Sequence, residues 1–457
     1  MVRMRRLLLG ACFLLACGAS GEVFKDGETV CFLGDSITHG GRFHSYIYDY
    51  YLTRFPESRV RFVNAGVAGD SAGGAQRRLA EDVIEKKPSF VAIMLGMNDV
   101  GRGNYVAEPD AQKVAAQQRS LDSYRANMDQ LIARIRREAN SRILLITPSP
   151  FDQTVTNDRN NNQPGCNDGL ARCAQIVREI GAKHGCDVVD FNGPMTAFNL
   201  EQQRREPTFT IIGGDRVHPG PEGHLMMAWL FLKAQGAPSL VSEVAIDGAR
   251  GNLTRASNAE VRDILQKDGA LHFAILEKAL PFPVDKAARP LLGRLPIERD
   301  LNQEMLSVAA LPEGEYELMI DGSVAGRYSS IALARGINLA SDDAAPQFRQ
   351  AQEVATLNER RRATEATLRD HAAVRWFLRG RQVDPDNLGA VSVFAETRMD
   401  KAGYYEAKVP GYLKGWEKRG ETIDSLRSLE AQLFALRQPA WHEYSVRPVA
   451  RAGTGKQ

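Results

Sequence analysis

The residues best suited to nucleophilic chemistry are a serine, a histidine and an aspartate in two distant segments. Ser36 stands in CFLGDSITHGG, residues 31–41, where an apolar run gives way to small and polar residues. Asp215 and His218 stand in GGDRVHPG, and their spacing of three lets two side chains within one turn face each other. A carboxylate that holds one imidazole nitrogen leaves the other free to take a proton from a hydroxyl. The sequence therefore predicts that His218, oriented by Asp215, activates Ser36 as a nucleophile.

Three further groups could stabilise the negative charge that such an attack creates on an oxygen atom. The backbone N–H of Ser36 lies where a strand is predicted to end and a helix to begin, near the positive end of the helix dipole. Gly69, in NAGVAGDS at 64–71, has no side chain to keep its N–H away from a ligand. Asn98, in GMND at 96–99, offers a side-chain amide. We expect these three donors to converge on one site.

The elements that must position these residues alternate in type from about residue 28 to 238. Apolar runs predict strands, and stretches such as 121–139, with apolar side chains at helical spacing, predict helices between them. Buried strands that alternate with helices indicate a parallel sheet covered on both faces, with ligands bound beyond the carboxyl ends of the strands. The predicted strands are TVCFLG (29–34), VRFVNAG (60–66), FVAIMLG (90–96), RILLITP (142–148) and CDVVDF (186–191).

Four sequence blocks occur in the order that is typical of SGNH-type, or GDSL-type, serine hydrolases: GDSIT at 34–38, NAGVAGDS at 64–71, GMND at 96–99 and DRVHPG at 215–220. Over roughly residues 28–238 the chain resembles this family of lipase/acylhydrolase-like esterases. The resemblance implies a three-layer α/β/α sandwich around a five-stranded parallel sheet, with neither metal nor cofactor. The roles that it implies are Ser36 as nucleophile, His218 as general base, Asp215 as its orienting partner, and Ser36, Gly69 and Asn98 as the oxyanion hole.

Other polar residues near these motifs are expected to serve the structure rather than the chemistry. His224 lies in the predicted last helix of the α/β region, where packing or capping suits it better than the role of base. His39 and His44 are expected at the edge of the pocket or on the surface, because no carboxylate pair accompanies them to form a metal site. Asp35 is expected to hydrogen-bond the turn backbone, and Asp99 to brace its loop.

The first 21 residues have the layout of a secretory signal peptide. MVRMRR is basic, LLLGACFLLAC is apolar but short for a membrane span, and GASG supplies small residues. LLAC at 14–17 also resembles a bacterial lipoprotein signal, which would make Cys17 a lipidated first residue; cleavage around residues 20–22 is the alternative. We expect an exported protein, periplasmic or extracellular, whose one contact with a membrane would be a lipid anchor at Cys17.

Composition limits the classes of protein to which the chain could belong. Its 457 residues, 43% hydrophobic and 25% charged with a net charge of +2, indicate two or three globular domains without affinity for nucleic acid. Export permits disulfides, and either a structural bridge or inert buried thiols are favoured over a metal site. The cysteines concerned are Cys31, Cys166, Cys173 and Cys186.

The sequence changes in character after residue 238. VSEVAIDG (241–248) and YELMIDGSV (316–324) combine strand alternation with Asp-Gly turns that are typical of hairpins. Residues 347–378 predict a long helix, and apolar residues between 423 and 436 predict a second one. The predicted divisions are a signal peptide (1–21), a hydrolase domain (22–238), a β-containing accessory segment (239–340), and a helical accessory segment with a tail (341–457).

The predicted function is the hydrolysis of carboxylic esters by an exported serine esterase. The loop PSPFDQTVTNDRNNNQPG (148–165) follows the fourth strand, and its polar side chains suit hydroxyl-rich ligands better than acyl chains. An O-acetylesterase acting on acetylated carbohydrate is therefore favoured, with a lysophospholipase or lipase of the same family as the alternative. A non-catalytic glycan-binding surface protein is disfavoured, because binding alone does not require Ser36, Asp215 and His218 together.

Overall fold

The structure, a computed structural model, describes residues 23–398 and 403–449. The predicted signal peptide and Cys17 lie outside these residues. Within the described ranges, no helix combines the length and the apolar character needed to cross a bilayer.

A parallel five-stranded sheet carries the α/β region. Its strands are β1 (Thr29–Gly34), β2 (Arg61–Gly66), β3 (Phe90–Met94), β4 (Arg142–Ile146) and β5 (Asp187–Val189). They lie in the order β2-β1-β3-β4-β5, and every neighbouring pair is parallel. All five predicted strands are confirmed. Their apolar runs are continuous rather than alternating because helices cover both faces of the sheet.

Helices form the two outer layers of this region, which confirms the predicted α/β fold. Helix α2 packs against α7 on one side, while α3 packs against α4 and α4 against α5 on the other. The bounds are α1 (Ser36–His39), α2 (Arg42–Arg54), α3 (Ala72–Asp82), α4 (Ala111–Ala139), α5 (Cys166–His184), α6 (Asn192–Gln203) and α7 (Pro221–Ala234).

Two glycines allow α1 to lie directly against the ends of the first two strands. A Cβ atom on Gly34 would fall 2.1 Å from Thr38 Oγ1, and one on Gly66 would fall 2.1 Å from the backbone nitrogen of His39. No side chain fits at either position. Asp35 caps the helix by accepting a hydrogen bond from the Ile37 N–H at 3.0 Å. These contacts fix where the first residue of α1 stands above the sheet.

Two further sheets follow the α/β region. One has the order β13-β10-β6-β7 and the other β12-β11-β14-β9-β8. The predicted Asp321-Gly322 turn is confirmed, with both residues at positive φ (47° and 77°), as a two-residue hairpin requires. The strands are β6 (Leu240–Asp247), β7 (Asn252–Ser257), β8 (Ala259–Lys267), β9 (Ala270–Glu277), β10 (Gln303–Ala309), β11 (Glu315–Ile320), β12 (Ser323–Ser329), β13 (Ile337–Asn338) and β14 (Trp441–Pro448).

Strand β14 differs from the prediction, which assigned residues 341–457 to helices and a tail. It inserts between β9 and β11, and both pairings are antiparallel. Its partners stand more than a hundred residues earlier in the chain, so the local pattern gave no sign of which sheet it completes.

Some of the accessory helices pack against the α/β region. The two predicted helices are confirmed within α10 and α13, and α10 packs against α13, α12, α2 and β2. The bounds are α8 (Ile297–Leu301), α9 (Ser330–Arg335), α10 (Pro346–Gly380), α11 (Leu388–Arg398), α12 (Val409–Trp416) and α13 (Arg419–Leu436).

One hydrophobic core joins the central sheet to the accessory segments. Besides residues of the five parallel strands it contains Phe282 and Leu301 from the connection before β10, Val354 from α10 and Leu433 from α13. A second core lies between the two accessory sheets. Residues after 238 therefore contribute to the same buried apolar interior as the strands that carry the candidate site.

The four described cysteines are all free thiols, so the structure favours inert thiols over the structural bridge that the sequence left open. Cys31, Cys166 and Cys173 are buried and Cys186 is half-buried. Burial raises the pKa of Cys31 and of Cys166 to about 12. These thiols stay protonated near neutral pH and are unreactive for that reason.

Candidate active site

The structure brings Ser36, His218 and Asp215 into one hydrogen-bonded chain. His218 Nε2 lies 2.8 Å from Ser36 Oγ, although 182 positions separate the two residues. On the other side of the ring, His218 Nδ1 lies 2.5 Å from Asp215 Oδ2. Ser36 is the first residue of α1, at the carboxyl end of β1, and the histidine and aspartate lie in the loop before α7. The three side chains therefore meet in the folded chain, as the sequence predicts.

Asp215 uses its two carboxylate oxygens for different partners. Oδ2 faces the imidazole, whereas Oδ1 accepts hydrogen bonds from the backbone N–H groups of Val217 and His218, each at 3.0 Å. Partial burial favours the protonated carboxyl, but the hydrogen bonds from His218 and Val217 outweigh it and lower the pKa of Asp215 below its ordinary value. The carboxylate is therefore ionised at neutral pH and holds the Nδ1 edge of the imidazole ring.

Arg216, between Asp215 and His218, holds this loop in place, a role that the sequence did not reveal. Its backbone has a positive φ of 66°, and its side chain is only 4% exposed. Nη1 donates to the carbonyl oxygens of Asp152 and Val155, both at 2.9 Å. A charged residue inside a motif can be suspected of such a role, but its acceptors stand about sixty positions earlier and give no local signal.

The polar loop 148–165 is fastened to the same segment by its own side chains. Asn161 Oδ1 and Asn157 Oδ1 accept from the Arg216 guanidinium at 2.9 and 3.0 Å, and Asn161 Nδ2 donates to the Gly214 carbonyl at 3.0 Å. Asn162 Nδ2 donates to the Gln153 carbonyl. From the sequence alone, the polar side chains of this loop indicated a hydroxyl-rich ligand. In the structure, hydrogen bonds within the protein account for many of these side chains instead.

Gly69 lies at the third position of a turn between β2 and α3. The Asp70 N–H donates to the Val67 carbonyl at 3.1 Å, and Gly69 has φ +75°, which a side chain disfavours. A Cβ atom built on Gly69 would meet nothing within 4 Å. The glycine is therefore required by its backbone conformation rather than by close approach within the protein. Among the described residues none accepts a hydrogen bond from the Gly69 N–H.

Asn98 lies beside this turn. Its Nδ2 atom donates one hydrogen bond to the Asp70 carbonyl at 2.8 Å. Since an amide nitrogen carries two hydrogens, one remains for another acceptor. The turn itself is joined to the first strand, because the Val67 N–H donates to the Gly34 carbonyl at 3.0 Å. The three predicted donors therefore belong to the segments that follow the adjacent strands β1, β2 and β3.

Two buried carboxyls behave as the sequence predicts. Asp35 bonds the turn backbone at Ile37, and Asp99 accepts from the Ala72 N–H at 2.9 Å, at the beginning of α3. Burial raises the pKa of Asp35 and of Asp99 to about 7. Both serve the loops around Ser36 and Gly69.

The prediction that His39 and His44 lie at the pocket edge or surface is wrong. Both are buried, because α1 and α2 turn inward against Phe32 and the sheet. His44 stacks on Phe32 with ring centroids 4.8 Å apart, and burial lowers its pKa to about 4. His224 is also buried, inside α7, in agreement with the packing role expected for it. In the described part of the chain, no cluster of three His, Cys, Asp or Glu side chains is arranged to hold a metal ion.

Comparison with known proteins gives matches of different extent. Residues 32–226 match the GDSL-like Lipase/Acylhydrolase family. The solved structure of a gut microbial diltiazem-metabolizing enzyme is 30% identical, covers 94% of this chain and 99% of its own, and superposes with a TM-score of 0.88. The curated acetylxylan esterase of Geobacillus stearothermophilus is 28% identical over 225 residues, which make up 46% of this chain and 94% of that protein. The structure of the diltiazem-metabolizing enzyme therefore shares the accessory segments as well as the α/β region.

Proposed function

Since the chain belongs to the GDSL-like lipase/acylhydrolase family and is a carboxylic ester hydrolase, we propose that it removes small acyl groups with a triad of Ser36, His218 and Asp215. The observation that carries this proposal is the 2.8 Å contact between His218 Nε2 and Ser36 Oγ. That distance is within the range for direct proton transfer from a hydroxyl to an imidazole.

The reaction follows from the geometry in two halves. As Ser36 Oγ attacks the ester carbonyl carbon, its proton passes to His218 Nε2, and the resulting imidazolium then gives that proton to the departing alcohol oxygen. In the second half His218 takes a proton from water, whose oxygen attacks the acyl-serine carbonyl carbon. The imidazolium then returns that proton to Ser36 Oγ as the bond to the serine breaks and the acid leaves. Asp215 remains ionised throughout, because its pKa is low, and it stabilises the imidazolium.

The oxyanion in each half is assigned to three donors: the N–H groups of Ser36 and Gly69 and the second amide hydrogen of Asn98. Support comes from the placement of these groups on neighbouring loops and from the unused donor capacity of Gly69 and Asn98. Preorganised donors of this kind stabilise the transition state because they need not reorient as the charge develops.

The proposed substrate is an acetyl ester on a carbohydrate. It rests on the similarity to an acetylxylan esterase rather than on the composition of the loop 148–165, because Asn157 and Asn161 of that loop hydrogen-bond Arg216.

Export is also proposed, from the basic, apolar and small-residue layout of residues 1–21, with lipidation at Cys17 as the alternative to cleavage around residues 20–22. Mass spectrometry of the N-terminal peptide from secreted and membrane fractions distinguishes the two.

The substrate is tested by measuring kcat/KM for p-nitrophenyl acetate, octanoate and palmitate, and acetate release from acetylated xylo-oligosaccharides. Diltiazem and micellar lysophosphatidylcholine are tested as further substrates in the same experiment. We expect the acetyl esters to be turned over fastest, and hydrolysis by the Ser36→Ala variant to fall to the residual level. A preference for long chains or micelles would replace the proposal with a lysophospholipase or lipase. If the folded wild-type protein turns over no ester, the remaining hypothesis would be a non-catalytic glycan-binding protein.

A further inference from the structure

The residue before Gly69 is held by side chains on both of its backbone polar groups. The Ala68 N–H donates to His39 Nδ1 at 3.1 Å, and the Ala68 carbonyl accepts from the Tyr405 hydroxyl at 2.6 Å. Tyr405 stands 337 positions later, in the accessory helical segment. Two side chains from different parts of the chain therefore converge on one exposed turn.

The bond from Tyr405 fixes the direction of the Gly69 N–H. The Ala68 carbonyl and the Gly69 N–H belong to the same peptide group, which is planar and trans, so the two point in opposite directions. A hydroxyl that holds the carbonyl on one side aims the N–H to the other. It also polarises the peptide, which makes the N–H a better donor.

His39 ties the same turn to α10. Its Nε2 lies 3.0 Å from Asp370 Oδ1, and Asp370 also accepts from Lys408 Nζ at 2.6 Å. To accept from Ala68 at Nδ1, the imidazole must be neutral with its proton on Nε2, and Asp370 selects that tautomer. His39 is the last residue of α1, whose first residue is Ser36. One imidazole therefore links the serine helix, the turn and the accessory helix.

The residue after Gly69 is also connected to α10. Arg78 donates to Asp70 Oδ2 at 2.7 Å and to Asp82 Oδ2 at 2.8 Å, and Arg369 donates to the same Asp82 oxygen at 2.7 Å. All four side chains are buried. Arg369 and Asp370 are consecutive in α10, so neighbouring residues of one accessory helix support the turn on both sides of Gly69.

We propose that the accessory helical segment is part of the catalytic apparatus, with Tyr405 as the positioning residue that aims the Gly69 N–H and with His39 and Asp370 supporting the same turn. This inference rests on the proposed role of Gly69 as an oxyanion donor. It gives residues after 345 a function that the sequence did not assign. The α/β region carries the reacting side chains, and the accessory helices fix the geometry of one of its donors.

Tyr405→Phe tests the proposal, because it removes the hydroxyl and keeps the ring that stacks on Phe377 at 5.5 Å. We expect kcat for p-nitrophenyl acetate to fall about tenfold at unchanged KM, since the oxyanion exists only after attack. This is less than the roughly 10²–10³-fold loss that follows complete removal of a donor. The matched control is Tyr412→Phe, which removes a hydroxyl bonded at 2.8 Å to the Pro385 carbonyl in the same segment.

Asp370→Ala is the second variant. It removes the oxygen that accepts the His39 Nε2 proton, and it should lower kcat at unchanged KM. Asparagine would not test this, because Lys408 donates to the same oxygen and would keep it facing His39. The control Tyr412→Phe should keep the wild-type kcat even where its melting temperature falls as far as that of Tyr405→Phe. If wild type hydrolyses the ester but either Tyr405→Phe or Asp370→Ala loses no more kcat than the control, the inference is overturned and the proposed function stands. If wild type hydrolyses no ester, both are overturned.

Discussion

Replacing Asp215 with asparagine should impair the enzyme more than replacing it with alanine. The reason lies in the two roles of the carboxylate. Oδ1 accepts from two backbone N–H groups, so the oxygen of an asparagine side chain is drawn to that side. Its NH₂ group then faces His218 Nδ1, which must become an acceptor. The proton of the neutral ring moves to Nε2, and the nitrogen that should take the Ser36 proton is already occupied.

The size of each effect follows from what the substitution leaves. In serine protease triads the wrong tautomer costs roughly 10⁴-fold in kcat. His218 and Asp215 are 49% and 46% exposed, so water competes for the ring and we expect roughly 10³–10⁴-fold for Asp215→Asn. Asp215→Ala loses a charge-assisted hydrogen bond of about 1.5–3 kcal/mol. Because both side chains are nearly half exposed, we expect a value toward the lower end of this energy range. Since the ring also stays free to adopt either tautomer, kcat should fall by only roughly 10–100-fold.

The assay is kcat/KM for p-nitrophenyl acetate at pH 8. Melting temperatures of both variants serve as the control, since alanine also removes the acceptor for the Val217 N–H. The order of the two variants is the decisive result. An Asp215→Asn variant that is less than tenfold impaired, or faster than Asp215→Ala, would show that the carboxylate does not set the tautomer of His218.

Three other predictions follow from the same geometry. Ser36→Ala should fold normally and lose ester hydrolysis to the residual level, and substantial remaining turnover would point to another nucleophile. Asn98→Ala should lower kcat by roughly 10²–10³-fold; an unchanged rate in a variant of normal melting temperature would remove Asn98 from the oxyanion hole. Burial raises the pKa of Asp35 to about 7, so the folded protein retains a proton that the unfolded chain releases near pH 4, and stability declines as pH rises between these values. Asp35→Asn keeps an acceptor for Ile37 and should flatten part of that decline in melting temperature; an identical pH profile would contradict it.

The central sheet and the residues at its carboxyl edge could be predicted because their signals are local. Each strand is a short apolar run between helical stretches, and Ser36, Asn98 and the Asp215–His218 pair follow strand ends or precede a helix. Parallel strands place their carboxyl ends at one edge, so residues far apart in sequence are expected to meet there. The Asp321-Gly322 hairpin was predictable for a similar reason, since its two turn residues alone determine the backbone.

The supports of the site were not predictable, because their partners are distant. Arg216 bonds carbonyl oxygens of another loop, and its own neighbours in sequence do not indicate this. His39 was expected at the pocket edge or on the surface because no carboxylate pair accompanies it in the sequence, yet Asp370 reaches it from α10. The place of β14 between β9 and β11 depends on pairing across most of the accessory region.

Residue type and short spacing are enough to show which groups can react: a serine at the end of a strand, an imidazole paired with a carboxylate three positions away, and glycine where the backbone must be left-handed. How these groups are aimed depends on contacts between distant segments of the folded chain. The direction of the Gly69 N–H depends on a peptide plane held by Tyr405, and the hydrogen bond concerned joins residues 337 positions apart. Orientation of that kind comes from packing between distant segments, for which no local pattern exists.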